Sequence, residues 1–189
     1  MSIPIQKKAF LIVVEGKDDE AVVALLLRHL GIASVQIVDA QSKDNIRNVV
    51  TVLAGQEGFR QVRGVAIIRD ADSSPESAKQ SCEDSLRGLE KKSAYFLLPG
   101  DGPGMLEDLC LRAVLGRPEI DCVDRFTECI GANGIPLSNL PKFRMKAFLM
   151  VHDEDTTRRI GWAAVRGLLD PAHPAFEPLR QFLLDFTRV

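Results

Sequence analysis

Two short acidic patterns carry the chemistry legible in this sequence. Glu15-Gly16 follows directly on a run of apolar and β-branched residues, and Asp70-Ala71-Asp72 follows another after Arg69. Three carboxylates delivered by strand ends to one sheet edge offer hard oxygen donors. Like charges gathered without cationic neighbours raise one another's pKa and resist joint ionisation. A bound Mg²⁺ or Mn²⁺ removes that cost, and such ions are usually held by one or two carboxylates together with substrate phosphate. The expected chemistry is therefore at phosphate, with Glu15, Asp70 and Asp72 as metal ligands.

The elements that must deliver these groups are readable around them. Ala9 to Val14 (AFLIVV) is a continuous apolar run, the pattern of a strand covered on both faces. Asp18 to Leu30 follows as a helix, with acids in its first turn, apolar Val22, Leu25, Leu26 and Leu30, and Gly31 just beyond. Val35 to Val38 reads as a second strand and Asn45 to Leu53 as a second helix. Gly64 to Ile68 is a third strand running into the Asp-Ala-Asp pattern. Ser74-Pro75 opens a polar helix through about Lys91, since proline suits a first helical turn. Ala94 to Leu98 is a fourth strand, ended by Pro99 and the glycine-rich Gly100 to Gly104.

Strands alternating with helices imply parallel strands joined by right-handed crossovers. From Met105 onward the apolar period becomes helical, over Met105–Leu115, Val123–Ile130, Lys142–Val151, Arg158–Leu168 and Phe176–Phe186. The expected fold class is α/β, layered around a mostly parallel sheet of about four strands. Residues 1–100 would form that domain and residues 101–189 a helical extension packed on it. In an open parallel sheet, ligands bind outside the carboxyl ends of the strands, where Glu15, Asp70 and Asp72 would sit.

At this point the residues resemble a known family. Glu15-Gly16-Lys17-Asp18-Asp19-Glu20 and Asp70-Ala71-Asp72 are similar to the two signatures of the Toprim domain, found in topoisomerases, primases and nucleases. The resemblance is nearer to the OLD (overcoming lysogenization defect) nucleases and to small stand-alone Toprim-like proteins of unknown function. It covers residues 9–100, and 104–150 more loosely. It implies Mg²⁺- or Mn²⁺-dependent making or breaking of phosphodiester bonds, with Glu15 as general acid/base and Asp70 and Asp72 on one or two metal ions. Asp19 stands where OLD-type domains carry a further acidic ligand. Glu107, in Gly104-Met105-Leu106-Glu107-Asp108, resembles their later acidic segment, and Lys142 or Lys146 corresponds to a downstream catalytic lysine. The ATPase module of full-length OLD proteins has no counterpart here, because no G-x-x-x-x-G-K-[ST] occurs. Expected partners are nucleic acid, DNA ahead of RNA, and a separate ATPase or other protein. The alternative is a catalytically silent module that binds metal, nucleotide or protein.

Composition narrows the field. Hydrophobic residues make up 46% and charged residues 26%, values of a folded globular chain rather than a disordered one. A net charge of −2 excludes the broad basic surface of non-specific nucleic-acid binders. No apolar run approaches the roughly 20 residues that cross a bilayer, and no signal-type apolar segment precedes the first charged motif. The expected location is the cytoplasm. Cys82, Cys110, Cys122 and Cys129 match no zinc spacing and read as buried thiols.

Plainer roles compete at several positions. Asp18, Asp19 and Glu20 lie in a helical first turn, where acids favour the macrodipole, and that role suits Asp18 and Glu20. Gly100 to Gly104 turns the chain rather than cradling phosphate. His29, His152 and His173 are scattered and receive no role. Trp162, Phe176 and Phe182 fall at helical core positions. A phospho-acceptor receiver fits poorly, as it needs an acidic pair after the first strand, where this chain has Glu-Gly.

Overall fold

The computed structural model describes residues 4–153, 155 and 157–188. Four strands, β1 (Phe10–Val14), β2 (Val35–Asp39), β3 (Gly64–Asp70) and β4 (Lys92–Leu98), form a single sheet in the order β2-β1-β3-β4, every pair parallel. The chain leaves β1 for β2 on one side and returns to place β3 on the other. The carboxyl ends of β1 and β3 thus meet at a topological switch, where the connecting loops part and leave a crevice. The α/β fold class expected from the alternating pattern is the one observed.

Both sheet faces are covered, as the uninterrupted apolar strands require. Side chains alternate between faces. Phe10, Ile12, Val14, Ala66 and Ile68 pack with α1 (Lys17–His29) and with the later helices α4 (Leu106–Arg112), α5 (Pro118–Ala132), α6 (Leu140–His152), α7 (Ile160–Val165) and α8 (Glu177–Thr187). Leu11, Val13, Val65 and Ile67 pack against α2 (Ile46–Ala54) and α3 (Pro75–Leu86). The second half of the chain is helical and lies on one face of the sheet. Among the described residues no helix is long and apolar enough to cross a membrane.

Several boundaries differ from the expected ones. The third helix stops at Leu86 rather than near Lys91, because Gly88 turns the chain with φ +82° and Lys92 already begins β4. Ser74 caps it, accepting from the Ser77 amide at 3.3 Å. The expected helix over 158–168 is reduced to Ile160–Val165, ending before Gly167 at φ +75°. A 3₁₀ turn over Glu57–Gln61 has no apolar period to announce it. Only Cys82 and Cys110 are buried thiols; Cys122 and Cys129 are exposed on α5, whose apolar face points to α6. Phe176 is fully buried, whereas Trp162 and Phe182 are half-buried at the core's edge.

Candidate active site

Glu15 follows the last residue of β1 and Asp70 is the last residue of β3. Both line an open pocket of about 690 Å³, together with Asp18 and Asp19 from the first turn of α1 and Glu107 from the first turn of α4. The same pocket is lined by Lys142 and Lys146, one turn apart on α6, and by Arg158 and Arg159 before α7, of which Arg158 pairs with Asp153 at 2.9 Å and Arg159 lies 3.8 Å from Asp18. Glu15, Asp19, Asp70, Glu107, Lys142 and Lys146, singled out from sequence, therefore face one pocket at the crevice.

The electrostatics of this acidic wall are severe. Asp19 is 8% exposed, and burial together with the neighbouring Glu15 charge raises its pKa to about 7. Burial and the charges of Asp19 and Glu15 push Asp70 up to about 8, although the Leu106 amide donates to Asp70 Oδ1 at 2.8 Å. Burial also raises Glu15 and Glu107. Glu15 Oε2 and Asp19 Oδ1 are buried without a hydrogen-bond partner. Glu15 Oε2 has the Arg69 guanidinium 4.0 Å away, which leaves Asp19 Oδ1 as the buried acceptor that calls for a donor or cation from outside the chain.

Asp72 stands apart. The strand geometry that would have kept it beside Asp70 ends at Asp70, and Asp72 adopts φ +53° and pairs with Gly104 in an isolated bridge. Its carboxylate meets Lys43 Nζ at 2.8 Å and Arg69 Nη2 at 3.4 Å. Arg69 also lies 4.0 Å from Glu15 and donates to Ser81 on α3. The expectation of carboxylates without cationic neighbours is thus corrected. Arg69 neighbours Asp70 in sequence, but strand alternation sends it to the opposite face, where it sits 6% exposed beneath Glu15.

Other acids of this region are structural. Asp108 accepts from the Met105 amide at 2.9 Å, closing the first turn of α4, while Glu107 beside it faces the pocket. Asp18 Oδ1 accepts from the Gly161 amide at 2.9 Å and its carboxylate lies 3.8 Å from Arg159 Nε, so it ties α1 to α7 rather than only serving the helix dipole. Lys146 Nζ donates to the Arg158 carbonyl at 3.1 Å, which fixes that ammonium at the pocket. The loop Gly100 to Gly104 turns the chain and delivers α4, whose Leu106 amide is occupied by Asp70. Sequence reasoning missed Arg69, Lys43, Arg158 and Arg159. The Arg158-Arg159 pair ahead of an apolar helical run was a visible signal; Lys43 and Arg69 required knowledge of the strand order.

The donor set suits a hard divalent cation. All pocket-facing acids offer oxygen, and the buried Oδ1 of Asp19 has no hydrogen-bond partner. Among the described residues no three Asp, Glu, His or Cys side chains form a ready-made donor group. A cation here would rest on one or two carboxylates plus water and phosphate, the usual arrangement for Mg²⁺.

Residues 9–188 match the model of a family described as a protein of unknown function, DUF3226. No curated protein matches the chain. Among solved structures it is similar to the C-terminal region of the Burkholderia pseudomallei OLD protein, at 15% identity and a TM-score of 0.52, over 94% of this chain and 98% of that one. The C-terminal region of the Xanthomonas campestris pv. campestris OLD protein aligns over 97% of this chain and all of that one, at 14% identity and a TM-score of 0.48. At these identities the likeness is one of fold, and at that level the resemblance to OLD-type chains stated from the acidic motifs is borne out.

Proposed function

This chain belongs to the DUF3226 family, and from that premise we propose that it is a divalent-metal-dependent phosphodiester hydrolase acting on nucleic acid. The observation that carries this reading is the Asp19 carboxylate, buried with its Oδ1 unpartnered beside the acids Glu15 and Asp70, in a crevice at the strand ends that Lys142 and Lys146 also line. Acids that bind a cation and lysines that bind phosphate are complementary to one ligand, a phosphodiester with its metal ion.

Asp19 and Asp70, with Glu15 and Glu107 beside them, would hold Mg²⁺ or Mn²⁺; when bound, the ion supplies Lewis-acid polarisation of the phosphodiester. The chain's own residues do the rest. Glu15 exchanges a proton at its carboxylate, held in place by the Arg69 guanidinium below it. Lys142 and Lys146 draw the phosphate to the pocket, and the Lys146 contact with the Arg158 carbonyl keeps that charge in position. Asp18 keeps α7 and its preceding arginines against the pocket through Gly161. Asp72 balances Lys43 and Arg69 beside the site rather than inside it.

One observation favours a second reading, that of a silent binding module. Arg69 and Lys43 already place positive charge against Glu15 and Asp72, reducing the need for a cation on that flank. Incubation of the purified protein with supercoiled plasmid and with single-stranded DNA in Mg²⁺ or Mn²⁺ separates the two. Nicking that is lost in Glu15→Gln, with the fold intact, supports the hydrolase; loss of a general acid/base typically costs about 10²- to 10⁴-fold. Binding of cation without cleavage of any substrate supports the silent module.

A further inference from the structure

Beside the acidic pocket, the surface between α5 and α6 opens into an apolar groove of about 520 Å³, lined by Val123, Phe126, Phe143, Ala147 and Met150 among others. Phe143 and Lys146 line both the groove and the pocket, so the two adjoin. Phe126 and Phe143 stack with centroids 6.0 Å apart at 27°. Phe126 remains 54% exposed, Met150 45% and Val151 57%, an apolar patch at the mouth of a charged site. A solvent-facing aromatic ring backed by another gives up apolar contact area that a monomer would ordinarily bury.

Cations flank this patch. Lys142 is exposed at the pocket end and makes no ion pair among the described residues. Arg125, next to Phe126, is exposed and contacts only the Asp121 carbonyl and Cys122 Sγ among the described residues. Arg144, by contrast, is committed to Asp124 through two contacts of 2.7 Å. Lys146 lines the groove itself, Lys142 precedes Phe143 on α6 and Arg125 precedes Phe126 on α5, so each ring of the aromatic pair has a cation beside it in the chain.

We propose that the groove receives unpaired bases of a single nucleic-acid strand whose backbone crosses the acidic pocket; this rests on the hydrolase reading of that pocket. A strand carries anionic phosphates and flat aromatic bases, and the groove offers both partners, Lys146 with the neighbouring Lys142 and Arg125 for phosphate and the Phe126–Phe143 platform for a base. Stacking on an aromatic side chain is tolerant of base identity because every base presents a π-face. A duplex keeps its base faces covered by their neighbours, so it meets the cations but not the platform. The selectivity of the site is then for unpaired over paired substrate.

Fluorescence anisotropy with a labelled oligodeoxythymidine of about ten nucleotides, within the range bound by single-strand grooves, tests this in Ca²⁺, with strand integrity checked by electrophoresis. Three probes are used: the strand, the same strand annealed to its complement, and a strand with abasic positions. Phe126→Ala is expected to weaken the intact strand about tenfold, the scale of one lost base stack, and to leave duplex and abasic strand unchanged, while Phe126→Tyr binds as wild type. Circular dichroism confirms folding, which a half-exposed position permits. Equal affinity of Phe126→Ala and wild type for the intact strand overturns the proposal. So does a dimer that Phe126→Ala dissociates without altering strand affinity, since the groove would then seat a second copy of this chain. Cleavage that depends on Glu15, with affinity indifferent to Phe126, removes the groove alone; affinity that depends on Phe126, with no cleavage, removes the hydrolase reading alone.

Discussion

The Leu106 amide donates a hydrogen bond to Asp70 Oδ1 at 2.8 Å, so the last residue of β3 is also the acceptor for the first residue of α4. The same carboxylate belongs to the acidic wall of the pocket. Asp70 therefore joins the sheet to the helical half of the chain while keeping its other oxygen available to the pocket.

That double role can be divided by substitution. Asp70→Asn keeps an acceptor oxygen and removes a charge that its neighbours disfavour, so the metal-free protein is expected to be as stable as wild type or more so. Asp70→Ala loses the acceptor and is expected to cost about 1 kcal/mol, the scale of a lost helix cap. Urea unfolding of both variants measures the difference; equal destabilisation by Asn and Ala would mean that the hydrogen bond to Leu106 contributes nothing.

Asp19 gives stability a pH dependence. Its folded-state pKa, about 7, lies above the ordinary 3.8. The folded protein therefore retains a proton that the unfolded chain releases. The resulting stabilisation is fully present below about pH 3.8 and is lost as pH rises through about 7. Asp19→Asn carries no such group. In chelator, the stability of Asp19→Asn relative to wild type is expected to grow between these limits by a few kcal/mol at most, on the order set by linkage, and then to level off. Thermal melts across that pH range check it, and a difference independent of pH would show that Asp19 ionises normally.

Lys142 is an exposed cation of the pocket that makes no ion pair among the described residues. Lys142→Gln is expected to weaken single-strand binding and to flatten the dependence of log affinity on log salt by about 0.7, the contribution of one phosphate contact. Anisotropy titrations at several salt concentrations give both values. An unchanged slope would place Lys142 off the path of the backbone.

Most of the fold was legible in the sequence because β1 and β3 are covered on both faces and are written as unbroken apolar runs, with Gly31 and Ser74-Pro75 marking helix ends. The pocket acids were legible because Glu15 and Asp70 terminate those runs and Asp19 and Glu107 open the helices that follow. Asp72 was misplaced because a two-residue spacing fixes a shared face only while the backbone stays extended, and here it turns to positive φ after Ala71. Arg69 was passed over for a related reason. Its neighbour points into the pocket, and alternation buries Arg69 beneath Glu15, a contact that depends on β1 and β3 being adjacent. The tie from Asp18 to Gly161 spans the whole chain and left no local signal.

If the carboxylates of Glu15, Asp19 and Asp70 hold a divalent cation, the purified protein binds Mn²⁺ through them. A ligand of the folded state at ten times its dissociation constant adds ~1.4 kcal/mol of stability, a rise of roughly 3–6 °C in melting temperature for a chain of this size. Wild type is expected to show that rise together with saturable Mn²⁺ binding in a calorimetric titration. The Asp19→Asn/Asp70→Asn double variant, folded and stable in chelator, is expected to show neither. Equal Mn²⁺ binding and an equal thermal shift in wild type and the double variant would place the cation elsewhere and leave the buried carboxylates of this pocket without the ion proposed for them.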